Sequence, residues 1–269
     1  MLNILHENPA FLVINKPPGL ASQPDKTGDE SLLSQAEAYC GHPLHLVHRV
    51  DRPVSGLVLF AKTAEAMAMF SAQFQARTVQ KDYLAMVQNM PPKPEGTLIH
   101  YLKKNQTKNT STVFDEEQPG TERAELRYQL LESSKHYHLL HIQLVTGRHH
   151  QIRAQLAAIG CPIKGDVKYG ARRSNPDRSI HLHAWRLAFD NPATGERILL
   201  EAVPPEEVLW KALGPGKERW SMFRKTGGDQ ALGQKLADKA SDAADKVWEE
   251  KKLTEEKNLR KHRRTPYSK

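Results

Sequence analysis

Only two cysteines, Cys40 and Cys161, occur in 269 residues, too few for a disulfide framework or a cysteine-rich zinc site. That scarcity reads as a reduced, cytoplasmic protein. No apolar run approaches the length needed to span a bilayer, so no membrane partner is expected. The opening residues Met1-Leu2-Asn3-Ile4-Leu5-His6-Glu7 lack a basic region followed by an apolar stretch, and no secretory signal is visible. Neither a glycine-rich P-loop nor a dinucleotide fingerprint is present, and there is no internal repeat. No nucleotide cofactor is therefore signposted. Hydrophobic residues make up 39% of the chain, enough for a core in one large domain, or in one domain with an appendage.

What is present is positive charge, unevenly spread. The formal net charge is +8, and residues 216–269 hold 15 Lys/Arg against 9 Asp/Glu, leaving only +2 for the body. Within the body, Arg148, Arg153, Lys164, Lys168, Arg172, Arg173 and Arg178 cluster against only Asp166 and Asp177. Such a stripe suits a phosphate backbone, whose neutralisation releases counterions. An ordinary solvated face is the alternative. Beyond Pro205 the character changes: Gly214-Pro215-Gly216 and Gly227-Gly228 look like breaks. Residues 229–264 then contain no proline and place Leu232, Leu236 and Val247 near one helical face. The division expected is a folded body over 1–213 and a basic extension over 214–269, helical or partly disordered. Its last ten residues carry five positive charges and no negative one, which reads as an RNA-binding arm or a solubilising tail.

Periodicity sketches the body. Residues 11–15, 57–61, 83–87, 126–131, 137–145 and 181–189 have strand-like or continuous apolar character. Residues 31–39, 63–77 and 151–159 read as helices, the second with Ala66, Met69, Phe70 and Phe74 at core spacing. Strands outnumber helices without regular alternation, which favours an α+β fold over a doubly wound sheet.

One segment carries most of the chemistry: His48-Arg49-Val50-Asp51-Arg52-Pro53-Val54-Ser55-Gly56, just before an apolar run. Asp51 lies between two arginines, at a turn entering a buried strand. Opposite charge keeps such a carboxylate ionised, as a nucleophile or general base requires. From spacing alone, a surface ion pair is the more available reading.

This motif resembles the His-Arg-(Leu/Val)-Asp-Arg-Pro-x-Ser-Gly signature of the RluA/TruC-type pseudouridine synthases. Other stretches match in the family's order. Leu12-Val13-Ile14-Asn15-Lys16-Pro17-Pro18-Gly19-Leu20 resembles its opening motif, and Lys81-Asp82-Tyr83-Leu84-Ala85 its Lys-x-Tyr strand. Thr146-Gly147-Arg148-His149-His150-Gln151-Ile152-Arg153 resembles its Thr-Gly-Arg-(Thr/Ser)-His-Gln-(Ile/Leu)-Arg run, and Ile180-His181-Leu182-His183-Ala184 its apolar strand beneath the site. Val50 stands where leucine is commoner, and His149 where threonine or serine is. The likeness covers residues 2–205.

The resemblance implies a mixed, mainly antiparallel central sheet with flanking helices and a central active-site cleft. It implies an RNA pseudouridine synthase acting on structured RNA (tRNA or rRNA), without a cofactor and with no obligate protein partner. Asp51 would be the essential catalytic residue, Arg153 would hold it by a forked, two-point hydrogen bond, and Tyr83 would stack on the base. Arg49, Arg52, Arg148, His149, Lys164, Lys168, Arg172 and Arg173 are the expected RNA contacts, with Arg49 filling the space left by the extruded nucleotide or contacting its phosphate. The wording of the motif leans towards the shorter, TruC-like members. The chain begins at the opening motif, so a separate N-terminal RNA-binding module is not expected, and the basic tail is expected to replace it in part.

Two rivals remain. His136, His138, His141, His149, His150, His181 and His183 suggest a metal-dependent hydrolase, since residues two apart on a strand share a face. No acidic ligand accompanies these pairs in sequence, so metal ligands are not the expectation. An RNA-binding protein without catalysis would retain Arg148 and Arg153 but would not need Asp51.

Overall fold

The computed structural model describes residues 2–214. The expectations about the extension, its helix and its basic arm therefore lie outside the described residues, apart from Gly214 itself.

Two apolar strands, β1 (Ile4–Glu7) and β2 (Phe11–Lys16), open the chain and pair antiparallel. Helix α1 (Leu32–Cys40) follows, capped by the Ser31 hydroxyl, which accepts from the Ser34 N–H. A two-residue strand, β3 (His45–Leu46), leads to β4 (Ser55–Ala61), every residue of which is buried. Helix α2 (Ala64–Gln75) begins at Thr63, whose hydroxyl accepts from the Ala66 N–H. Strands β5 (Gln80–Val87), β6 (Glu95–Asn105), β7 (Thr110–Phe114), β8 (Glu122–Ser133) and β9 (His138–Leu144) come next. After them stand α3 (Gln151–Ala158), β10 (Leu182–Asp190), β11 (Arg197–Glu201) and α4 (Val208–Leu213).

All eleven strands join one sheet, whose main path runs β1-β2-β4-β10-β5-β9-β8-β6-β7, with β11 beside β10 and β3 beside β4. Among the described strands only β4 and β10 pair parallel, and the other strand pairings are antiparallel. The fold is thus α+β with a mixed, mainly antiparallel sheet. Apolar side chains bury both faces of its centre. Ile14, Val58, Tyr83, Ala85 and Leu182 pack with Leu32 of α1 and Ile152 and Leu156 of α3. Phe11, Leu57, Leu59 and Phe189 pack with Phe70 of α2 on the opposite face. Burial on both faces explains why β4 is a continuous apolar run rather than an alternating one.

The same pairing explains the glycine in the aspartate motif. Gly56 has φ +112°, and a Cβ there would lie 2.2 Å from the Ala184 carbonyl oxygen across the parallel pair. Only a residue without a side chain lets β4 come so close to β10 just after the Asp51 turn.

The apolar pattern misleads in one helix. Met69, expected in the core, is 47% exposed, while Met67 packs inward with Phe74. The buried stripe of α2 runs through Ala66 and Phe70, four residues apart, and Met69 falls off its edge.

Candidate active site

Three segments converge on a cavity of about 450 Å³: the turn before β4, the first half of β5, and the loop leading into α3 together with that helix's first turn. Asp51 comes from the first, Tyr83 from the second, and Arg148, His150 and Arg153 from the third. Side chains around Thr146 shape the third segment. The Gln151 Oε1 accepts from the Thr146 hydroxyl and the Arg148 N–H, and its Nε2 donates to the Glu125 carbonyl. His150 then enters α3 with φ 53° and ψ 25°, a left-handed conformation uncommon outside glycine.

Asp51 Oδ2 accepts from Arg153 Nη1 at 2.9 Å and lies 3.4 Å from His150 Nε2. Its Oδ1 accepts from no described residue, and the side chain remains 27% exposed. One oxygen is anchored, the other has no hydrogen-bond partner among the described residues, and Asp51 lines the cavity. Burial pushes this carboxyl up, but the charge and hydrogen bond of Arg153 outweigh it and hold it below the usual carboxylate range. Burial drives His150 itself down to about 3, so its ring is neutral at pH 7 and Arg153 supplies the positive charge.

The forked hydrogen bond expected between Arg153 and Asp51 goes elsewhere. Arg153 donates Nε to Asp166 Oδ2 at 2.7 Å and Nη2 to Asp166 Oδ1 at 2.8 Å, leaving one bond for Asp51. The physical reason is burial. Asp166 has a fully buried side chain and Arg153 one only 5% exposed, and a planar guanidinium satisfies the carboxylate that has no water. Sequence reasoning counted Asp166 merely as one acid in a basic stripe and missed it. Its only signal was an acid thirteen residues beyond the arginine, next to Gly165.

Two further groups were missed. The Tyr169 hydroxyl accepts from the Ser111 N–H at 2.7 Å and lies 2.9 Å from His150 Nδ1. That network leaves the tyrosine proton for Nδ1 and places the imidazole N–H at Nε2, towards Asp51. Lys16, fully buried, donates to the carbonyls of Pro17, Leu20 and Arg52, tying the opening motif to the Asp51 turn. Burial pushes its pKa down to about 7, against the pull of Asp51. Tyr83 lines the cavity with its hydroxyl pKa raised, by burial first and by the Asp51 charge second, so it stays protonated.

The expected RNA contacts divide by environment. Arg49 is exposed and lines the cavity, and Arg148 lines it while bonding Glu122 and the Arg123 carbonyl. His149 stacks on His150 with ring centroids 3.8 Å apart and bonds Ser111 and Asn109. Lys168, Arg172 and Arg173 are exposed, Lys168 donating to the Asn109 carbonyl. Two others turn away. Arg52 is claimed by Asp25 and Asp29, both at 2.8 Å, so it is not one of the guanidinium groups that ionise Asp51. Lys164 donates to Asn175 at 2.7 Å.

The histidine pairs are spent within the fold. His183 Nε2 donates to the Ala202 carbonyl, leaving Nδ1 to accept from the Ser55 hydroxyl at 2.8 Å. His181 lies 2.9 Å from Glu207, and His141 3.2 Å from Asp82, so acids absent from the local sequence do accompany them in space. Among the described residues, no group of three or more His, Cys, Asp or Glu side chains is arranged to hold a metal ion.

Known proteins resemble this chain in sequence and in fold. Residues 10–158 match the family described as RNA pseudouridylate synthase. An uncharacterised RNA pseudouridine synthase of Mycoplasma pneumoniae is 31% identical over 204 residues, covering 75% of this chain and 66% of that protein. The ribosomal large subunit pseudouridine synthase D of Nitrosomonas europaea is 34% identical over 224 residues, covering 77% and 63%. The chain thus spans slightly less than two thirds of the length of these two relatives. Among solved structures, human RNA pseudouridylate synthase domain containing 4 superposes with a TM-score of 0.62 at 26% identity, covering 76% of this chain and 89% of that one. The aspartate turn, the tyrosine strand and the arginine helix that close on one cavity all stand on a chain that belongs to the RNA pseudouridylate synthase family.

Proposed function

We propose that the protein converts uridine to pseudouridine in RNA, with Asp51 as the catalytic residue. The observation that carries this is the Asp51 carboxylate, ionised by Arg153 through Oδ2 while Oδ1 is left unbonded, in a cavity that Tyr83 also lines. A rigidly held, unprotonated oxygen is what an attacking nucleophile or base needs. The isomerisation breaks the bond from the ribose C1′ to N1, rotates the uracil, and joins C1′ to C5. The C5 hydrogen leaves and N1 gains a proton, so nothing is oxidised, reduced or transferred to a second molecule. The chemistry calls for no cofactor.

Arg153 keeps Asp51 charged and in place, and Tyr83 offers a flat, protonated face to the base. Arg49, at the exposed lip, fills the gap left when a nucleotide swings out of folded RNA, which costs roughly a few kcal/mol. Arg148, His149, Lys168, Arg172 and Arg173 form the basic rim that meets the backbone. Arg52 and Lys164 act there only indirectly, through the partners that hold them. No helix among the described residues is long and apolar enough to cross a membrane, which suits a cytoplasmic substrate. The Nitrosomonas europaea relative bears the name of a ribosomal large subunit enzyme, and we take large-subunit ribosomal RNA as the first substrate to examine, ahead of transfer RNA.

The test is pseudouridine mapping across cellular RNA from a strain lacking the gene, complemented with wild type or Asp51→Asn. A site lost on deletion and restored only by wild type carries the reading and names the target. A site restored equally by Asp51→Asn would remove the aspartate from the chemistry, and RNA binding without any altered site would favour the non-catalytic alternative.

A further inference from the structure

The cavity continues past Tyr83 along β5 to a second set of cations that the proposed chemistry does not use. Lys81 precedes Tyr83 by two residues, so both side chains stand on one face of the strand, about 7 Å apart. Lys81, Arg77 and Phe74 all line the cavity.

Lys81 is half-buried, with Nζ 5.4 Å from the centroid of the Phe74 ring. No carboxylate among the described residues pairs with it, and burial lowers its pKa. A partly desolvated ammonium without a counter-charge is unfavourable unless something anionic meets it.

Arg77 presents the second anomaly. Helix α2 ends in a Schellman motif: the Thr78 N–H donates to the Gln73 carbonyl at 3.1 Å and the Arg77 N–H to the Phe74 carbonyl at 3.2 Å. The residue after the cap then sits in the left-handed region, where glycine is usual, and here it is arginine with φ 58°. Its side chain is exposed along the cavity wall and pairs with no acid among the described residues. An arginine held where glycine would be easier points to a use for its charge.

We propose that Lys81 and Arg77 form a subsite for a backbone phosphate of the nucleotide adjoining the uridine presented to Asp51. Phe74 is its floor, bracing the Lys81 stem. This deepens the RNA reading and rests on it. A phosphodiester fits where a protein carboxylate would not, because the same cavity must already admit a nucleotide whose neighbours are covalently attached to it.

The test uses the full-length protein and an RNA oligonucleotide containing the mapped target uridine, with Lys81→Met, Arg77→Gly and Asp51→Asn in parallel. Lys81→Met keeps the apolar stem. Arg77→Gly relieves the backbone, so its Tm should equal or exceed that of wild type. Each should raise KM about five- to tenfold, with a smaller change in kcat, and reduce the salt slope of binding by about one. Replacing the target's flanking phosphates one at a time by neutral methylphosphonates should weaken wild type at one position and leave Lys81→Met indifferent there. Unchanged KM and salt slope in both variants would overturn the subsite. So would a Lys81→Met protein that remained sensitive to every neutral linkage. Asp51→Asn isolates the underlying reading: it should bind with the wild-type slope and form no pseudouridine, whereas retained activity would refute Asp51 catalysis without touching the subsite.

Discussion

The two ends of the cavity contrast in how their charges are satisfied. Around Asp51, Arg153 has Asp166 and Asp51, His150 has Tyr169, and Tyr169 has Ser111. Between the end of α2 and the start of β5, Arg77 and Lys81 have no acidic partner among the described residues. The closed network fixes geometry before substrate arrives, as chemistry needs. The open pair stores unspent positive charge, as recognition of an anion needs. Geometry is built at one end and affinity at the other.

The largest break in that comparison comes from Asp51→Asn, which should abolish isomerisation while leaving fold and RNA affinity intact. Mapping the restored sites and measuring binding of the same RNA would check both halves. Next in size is Asp166→Asn. Neutralising Asp166 leaves the buried Arg153 with a single carboxylate, which should cost about 3 kcal/mol of stability, read by urea unfolding. Activity should fall mainly in kcat, because Asp166 is too deeply buried to touch RNA. If Asp166 acts through Arg153, its substitution should add little to kcat in an Arg153→Lys background. An additive loss would make Asp166 a packing residue alone.

These two residues also mark what was legible in the sequence. Asp51, Tyr83 and Arg153 lie in motifs whose resemblance to a known family implies a cleft, and the sheet's central strands are continuous apolar runs. Asp166 was invisible because its role depends on a guanidinium brought to it by α3, not on its own neighbours. Arg52 misled for the converse reason: beside Asp51 in sequence, it turns to Asp25 and Asp29 in space. Strands β6 and β7 escaped notice because they are mostly exposed or half-buried and lack a clean two-residue alternation. Arg77 carried no signal until the turn at the end of α2 revealed its left-handed conformation, and Lys81 showed only as the first residue of the Lys-x-Tyr strand, with no role attached.

Acid should erode the protein chiefly through the three histidines that burial shifts most. Burial drives His48 and His150 down to about 3 and His183 to about 4, all below their ordinary value of 6.5. Between those values and 6.5 the unfolded chain binds more protons than the folded one. Stability is therefore full above pH 7 and is lost as pH falls through 6.5 towards 4, by up to about 1.4 kcal/mol per pH unit for each histidine. Asp51, whose pKa is lowered, adds nothing to the slope until well below pH 5. His183→Gln should remove one proton from the slope of unfolding free energy against pH, and an unchanged slope would mean that His183 titrates normally.

The smallest effect expected is that of Arg52→Ala, and it sharpens the contrast most finely. Arg52 stands one residue from Asp51, yet its charge is already met by two carboxylates, as the charges of the catalytic end are. If counterion release follows unpaired charge rather than proximity to the site, Arg52→Ala should leave the salt slope of RNA binding nearly unchanged. Arg77→Gly, farther along the cavity wall, should lower it by about one. Equal falls in the two variants would mean that RNA competes Arg52 away from Asp25 and Asp29. In that case pairing in the unbound protein would not predict which cations meet the backbone, and the division between a built end and an open end would dissolve.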